Sequence, residues 1–189
     1  MVERTCGSSI QRGNRRMSLL NNDNIALRAL EPLDIDLLLA VENDTDLWFV
    51  SESNLPLSKA ILESYIENAS QDIYEAKQFR FVIEYRGQTA GLIDVFDFDP
   101  IGLKVGVGIV VLPRYRGMGI AKEAITLLQQ LATQTWQIHQ MYAHISVENT
   151  ISLKAFTSCG FKEAGFLKHW KKWKGTFVNM HVLQWFSGL

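Results

Sequence analysis

The segment Arg116-Gly117-Met118-Gly119-Ile120-Ala121 constrains this chain more than any other. It stands where an apolar strand-like run, residues 108–113, hands over to an amphipathic helix. Two glycines and an alanine remove side-chain bulk, so successive backbone N–H groups converge on one point, and the helix N-terminus adds its partial positive charge there. Such a junction suits an anion the size of a pyrophosphate. It is not G-x-x-x-x-G-K-[ST], so it offers neither the lysine nor the magnesium-holding hydroxyl of a nucleotide hydrolase loop. A dinucleotide fold would place its glycines after the first strand, whereas six strand-like or helical segments precede this loop.

The remaining segments define an α/β order. Residues 25–30 read as a strand, and Pro32 opens a helix through Leu33, Leu37, Leu38 and Val41. Residues 56–69 repeat the helical pattern. Residues 79–85, a turn at Arg86-Gly87 and residues 89–98 form a hairpin by alternation and turn chemistry. The next strand spans residues 103–112, and its Gly106 and Gly108 predict a bulge or a close approach to the backbone. A helix over residues 121–135 presents Ala124, Leu127, Leu128 and Leu131 on one face, and residues 141–147 form the strand after it. Asn149 caps a further helix ending at Cys159-Gly160, and strands over residues 166–173 and 177–186 turn at Lys174-Gly175. The prediction is a mixed, mostly antiparallel sheet of about seven strands flanked by about four helices.

Length and composition agree. The 189 residues, 47% of them hydrophobic, suffice for one good core and fall short of two ordinary domains. Residues 18–189 are therefore expected to form one domain. Residues 1–17 read as a disordered extension, or as a basic targeting arm carrying Arg4, Arg12, Arg15 and Arg16. Net charge is −1, with no basic surface pointing to nucleic acid, and no apolar run of membrane-spanning length occurs. Cys6 and Cys159 do not suggest a disulfide framework, so a soluble protein of the reducing cytoplasm is expected. Homo-oligomerisation is left open.

The loop, read as Arg116, Gly119 and Ala121, resembles the [QR]-x-x-G-x-[GA] signature of the GCN5-related N-acetyltransferases. Asn149-Thr150-Ile151-Ser152-Leu153-Lys154-Ala155-Phe156-Thr157-Ser158-Cys159-Gly160-Phe161 is similar to the family's second coenzyme A motif, and the element order matches over residues 18–189. The polyamine branch is echoed by Leu27-Arg28-Ala29-Leu30-Glu31, Pro113-Arg114-Tyr115-Arg116-Gly117 and Lys168-His169-Trp170. The branch that acetylates ribosomal-protein N-termini is almost as similar. The resemblance implies acetyl-coenzyme A as co-substrate and a small-molecule amine, a diamine or polyamine, as acceptor. It implies that residues 116–121 (Arg116, Gly117, Met118, Gly119, Ile120, Ala121), with Asn149, Ser152 and Phe156, flank the coenzyme. It implies that the pantetheine arm pairs with the backbone of Ile109, Val110 and Val111.

Direct transfer needs a neutral amine, an acceptor for its proton, a donor to the thioester carbonyl and an acid for the thiolate. Two positions depart from the family: the tyrosine that many members use as the acid falls at Phe156, and the glutamate of the central strand falls at Gly106. Ser152 is the remaining candidate acid, or else it satisfies a nearby backbone group. Asp97 and Asp99 share a predicted strand face, so close like charges would raise one pKa and make Asp97 a base. Asp94, Asp97 and Asp99 from the hairpin, with Glu42, Asp44 and Asp46 after the first helix, are the candidate grip on a cationic amine, or else solvated element ends. Cys159 reads as a packed thiol. His139, His144 and His181 lack metal-ligand spacing, so no metal is expected. Residues 170–174 alternate across a hairpin, which explains their aromatics and lysines better than a nucleic-acid patch does. A coenzyme-binding sensor without catalysis is the alternative from outside the enzymes.

Overall fold

The computed structural model describes residues 20–47, 55–69 and 72–188. The expected extension at residues 1–17, with Cys6, lies outside them. Seven strands form one sheet in the order β1-β2-β3-β4-β5-β7-β6. They are β1 (Ile25–Ala29), β2 (Phe79–Tyr85), β3 (Gln88–Asp99), β4 (Lys104–Val111), β5 (Gln140–Ser146), β6 (Lys162–Trp173) and β7 (Thr176–Phe186). Only β4 and β5 run parallel, because the helix between them carries the chain back across the sheet.

Among the described residues there are five α-helices, one more than expected: α1 (Ile35–Glu42), α2 (Lys59–Asn68), α3 (Ile73–Ala76), α4 (Ile120–Thr135) and α5 (Thr150–Ser158). The addition, α3, is a single turn, too short to show a period. Its ends are nonetheless written in the chain: Asp72 accepts from the Tyr74 N–H at 2.9 Å, and Lys77 closes it in the left-handed conformation. Pro32 opens a 3-10 turn, Pro32–Asp34, and the α-helix begins only after it.

The sheet is covered on both faces. On one, Ala124, Leu127, Leu128 and Leu131 of α4 pack with Val95, Val105, Met141, Ala143 and Leu183 in the larger core. Deleting one such leucine side chain costs roughly 2–5 kcal/mol. On the other, Leu38 and Val41 of α1 and Leu62 and Ile66 of α2 cover Val82 and Leu92 near the β1 edge. The second layer stops there, so the same face of β3, β4 and β5 further along lies under no helix among the described residues.

The glycine signal in β4 resolves into two cases. A Cβ at Gly106 would run into the Phe96 ring from the paired position on β3, so the close approach is real. Gly108 has only ordinary clearance. The bulge sits on β3 instead: Asp97 and Phe98 oppose Val105, with Asp97 at φ +50°.

Candidate active site

Strands β4 and β5 are paired only from Lys104↔Gln140 to Gly106↔Tyr142, although β4 continues to Val111 and β5 to Ser146. Beyond Gly106 the two strands diverge and leave a wedge. The Leu112 N–H donates to the Ala90 carbonyl at 2.9 Å, which fixes the alternation of the β3–β4 ladder. Leu112, Val110 and Gly108 spend their main-chain groups on β3, while Val111, Ile109 and Val107 turn theirs toward the wedge. Of the three residues expected to pair with a pantetheine arm, Ile109 and Val111 face the wedge, the Val111 carbonyl already accepting from Arg116 Nε. The Val110 main chain is committed to the other side. Five residues at about 3.3 Å each make the edge from Val111 to Gly106 roughly 17 Å long.

The wedge opens at the glycine loop. Gly117 and Gly119 have φ +80° and +78°, and a Cβ at either would enter open space. Gly119 is the N-cap of α4 and supplies no side-chain cap. Among the described residues no protein group accepts from the N–H groups of residues 117–122, which meet at one helix end. Arg116 differs from the expectation. Its N–H donates to the Pro113 carbonyl at 3.2 Å and its Nε to the Val111 carbonyl at 3.1 Å, so it ties loop to strand, and the amides without a protein acceptor among the described residues begin at Gly117. The Met118 side chain is exposed, and the Ile120 side chain is buried in the core.

Helix α5 starts beside the wedge. Asn149 Oδ1 accepts from the Ser152 N–H at 3.1 Å, so the asparagine is a helix cap. The Ser152 hydroxyl has no protein partner among the described residues. Thr157 and Ser158, further along the helix, bond back to Leu153 and Ala155, but Ser152 stands in the first turn with no helical carbonyl behind it. Phe156 is 2% exposed and packs edge-on against Phe161 at 5.0 Å. The expectation that it borders the coenzyme is corrected: the ring is core. Cys159 is packed, its Sγ 3.5 Å from the Lys122 carbonyl, and burial pushes its pKa up.

The uncovered sheet face carries the acids. Glu42 from α1 and Asp94 from β3 come together, but each is held by Arg80 of β2: Nη1 lies 2.5 Å from Glu42, Nε 2.7 Å and Nη2 3.0 Å from Asp94. Tyr65 of α2 lies against the guanidinium at 5.5 Å. Burial opposes the charge on Arg80, yet Asp94 and Glu42 outweigh it and raise its pKa. Among the described residues the cluster thus sets one guanidinium against two carboxylates that the sequence suggests as a grip on a ligand. Asp44 is exposed and accepts from the Asp46 N–H at 2.9 Å; Asp46 meets Lys174 of the β6–β7 turn at 3.2 Å.

Asp97 and Asp99 do not act as a pair. Asp99 turns into the β3–β4 turn, accepting from the N–H groups of Gly102 and Ile101 at 2.8 and 3.0 Å, and Lys104 lies 3.6 Å away. The Gly102 bond first, then the others, lowers its pKa, opposite to the expected like-charge effect. Asp97 instead accepts from the Tyr142 hydroxyl at 2.8 Å. Phe96 and His144 flank Tyr142 at 6.0 and 5.6 Å between ring centres, and Trp170 of β6 meets His144 at 6.2 Å.

Sequence reasoning missed Arg80, Tyr65, Phe96 and Tyr142. Arg80 alone had a visible signal: a charge inside the apolar run of residues 79–83 must find a partner when the strand is buried. Among the described residues no group of His, Cys, Asp or Glu could hold a metal ion, and no helix is long and apolar enough to cross a membrane.

Residues 24–162 match the family model described as acetyltransferase (GNAT) domain. The spermidine N(1)-acetyltransferase of Vibrio cholerae serotype O1 is 26% identical over 150 residues, covering 77% of this chain and 83% of that protein. The putative ribosomal N-acetyltransferase YdaF of Bacillus subtilis is 25% identical over 165 residues, covering 85% of this chain and 87% of that one. The crystal structure of the spermidine N-acetyltransferase from Vibrio cholerae in complex with CoA and spermine shares the fold, with a TM-score of 0.79 at 22% identity over 87% of this chain and 96% of the other. A dodecameric structure of the Vibrio cholerae enzyme gives 0.73 at 25% identity, over 87% and 95% of the two chains. With the family model spanning most of the fold and both coenzyme motifs, this chain belongs to the GNAT acetyltransferase family.

Proposed function

We propose that this enzyme transfers the acetyl group of acetyl-coenzyme A directly to an amine of a small cationic acceptor of the diamine or polyamine class. One observation carries the reading: a wedge of unpaired strand edge, fed by a loop of unsatisfied amides, lies beside a sheet face where carboxylates and aromatic rings gather. The pyrophosphate would rest on the amides of Gly117, Met118, Gly119, Ile120 and Ala121, and the pantetheine would pair with Ile109 and Val111. The co-substrate supplies an activated acyl group. The chain supplies orientation, an amide such as that of Ile109 for the carbonyl oxygen, and the Ser152 hydroxyl for the departing sulfur.

The acceptor face suits a cation. The carboxylates of the Arg80 cluster, the exposed Asp97 and Asp44, and the rings of Tyr65, Phe96, Tyr142 and Trp170 offer Coulombic and cation–π attraction. Relatives named spermidine N(1)-acetyltransferase support the same acceptor class. A protein N-terminus is the second reading, favoured by the Ser152 hydroxyl, which has no protein partner among the described residues, and by the ribosomal relative.

Thiol release from acetyl-coenzyme A is the test, measured against spermidine, putrescine, amino acids, aminoglycosides and an Ala- or Ser-initiated peptide. The proposal expects the highest kcat/KM with a di- or polyamine. Turnover of peptide alone supports the N-terminal reading, and coenzyme binding without turnover supports the sensor.

A further inference from the structure

Strands β3 and β5 are not neighbours. β4 lies between them, so their axes stand two inter-strand spacings apart, about 10 Å. Asp97 of β3 and Tyr142 of β5 are nevertheless joined by a 2.8 Å hydrogen bond that passes over the central strand. Two local features make this reach available. The bulge holds Asp97 at φ +50° and breaks the alternation that would otherwise aim its side chain, and Gly106, the residue of β4 paired with Tyr142, has no side chain to obstruct the crossing. Phe96 fills the space over Gly106 and packs edge-on against Tyr142, which fixes the ring. Gly106↔Tyr142 is also the last pair before β4 and β5 diverge, so the tyrosine is rooted at the closed end of the wedge and its ring reaches from there over β4. The sheet face beside it is the one that carries the acceptor-side carboxylates.

We propose that the Tyr142 hydroxyl is the catalytic relay that takes the proton of the attacking amine, with Asp97 as its positioning residue and final proton acceptor. This rests on the acetyl-transfer reading and names the base that the sequence leaves unassigned at Gly106. As the nitrogen bonds to the acyl carbon, its proton moves to Tyr142 Oη while the tyrosine's own proton moves to Asp97 Oδ2. The C–S bond breaks, and the sulfur leaves with a proton from water, either directly or through Ser152, which water reprotonates as it donates. One proton has then passed from nitrogen to carboxylate, and the tyrosine ends as it began. Burial, then the bond to Asp97, raises the Tyr142 pKa, so the phenol stays protonated and passes protons on without storing negative charge. A carboxylate suffices as the end point, because the nitrogen turns strongly acidic once the acyl bond forms. Asp97 is exposed and returns its proton to water.

The experiment compares wild type, Tyr142→Phe, Asp97→Asn and the double variant on whichever amine of the panel the enzyme acetylates best. Tyr142→Phe keeps the ring against Phe96, and coenzyme A affinity by titration calorimetry reports that each variant is folded. The relay predicts that each single variant loses kcat by on the order of 100-fold, with KM for acetyl-coenzyme A and coenzyme A affinity within about twofold of wild type. The double variant should lose no more than the worse single one, because the two groups act in series. Singles that retain kcat within about threefold, or a double that loses the product of the two, would overturn the relay. A relay pattern on a peptide substrate would retire the polyamine reading and leave the relay standing, whereas unchanged kcat on spermidine would do the reverse.

Discussion

The two sides of the site are built from different materials. On the side proposed for the coenzyme nearly every group offered is main chain: the amides of residues 117–122, without a protein acceptor among the described residues, and the wedge-facing edge of Ile109 and Val111. On the acceptor side every group is a side chain, drawn from α1, α2, β2, β3, β5 and the β6–β7 hairpin, and most are already engaged with one another. Backbone recognition requires the absence of side chains and a fixed local conformation, so a short contiguous motif can encode it. Side-chain recognition depends on tertiary neighbours. The first half of the site is therefore generic to a donor molecule, and the second is where one member of a family becomes different from the next.

The sharpest way to break this contrast is Arg80→Met. Glu42 and Asp94 would lose the cation that both hold, and removing one partner of a buried pair costs about 3–5 kcal/mol. Thermal denaturation should show the largest loss of any variant named here. If the cluster faces the acceptor, spermidine should raise the Tm of Arg80→Met more than that of wild type, since a polycation supplies the missing charge. An equal rise in both proteins would place the acceptor elsewhere.

Gly119→Val probes the other half. A β-branched residue at φ +78° is strained, and its side chain would occupy the space in front of the amides. Calorimetry should show coenzyme A affinity reduced by on the order of 100-fold, equivalent to about 2.7 kcal/mol, with spermidine binding little altered. Coenzyme affinity equal to wild type in the folded variant would show that the loop is not the pyrophosphate site.

Ser152→Ala tests the one side chain assigned to the coenzyme half. Turnover should fall by about tenfold to a hundredfold, with little change in KM for acetyl-coenzyme A, because a donor to the thiolate acts in the transition state and water replaces it in part. Unaltered kcat at saturation would leave the hydroxyl without a chemical role.

The smallest effects belong to exposed charge. Asp44→Asn, and an increase in salt from low to physiological strength, should each raise KM for a polyamine by a few-fold. Such pairs are screened over about 8–10 Å and are individually worth up to about 1 kcal/mol. Coenzyme A binding through backbone amides should respond less to Asp44→Asn than polyamine binding does.

The same contrast explains how much could be read from the chain. Alternation and capping gave the sheet, its hairpins and α4, because each rests on neighbours a few residues apart. The glycine loop was legible as a junction of strand and helix cleared of side chains, and the structure adds that Gly117 and Gly119 are left-handed. The role of Arg116 was not, since its bonds to Pro113 and Val111 depend on how the loop folds back on the strand. Asp97 and Asp99 were read as a like-charge pair from strand period alone, and the bulge beside them broke that period. Glu42 and Asp94, 52 positions apart, were both identified, but their neutralisation by Arg80 follows from the pairing of β2 with β3 and from the docking of α1. Tyr142 gave no local sign, because its partner lies across an intervening strand.

The central claim, that main chain builds the coenzyme site, is tested most directly by following backbone amide resonances during titration with coenzyme A. The largest shifts are expected at Gly117, Gly119, Ile120 and Ala121 and at Ile109 and Val111, with Val110 moving less than its two neighbours because its N–H is bound to β3. Shifts of equal size at Val110, or a pattern centred on the β6–β7 hairpin with residues 117–121 unmoved, would contradict it.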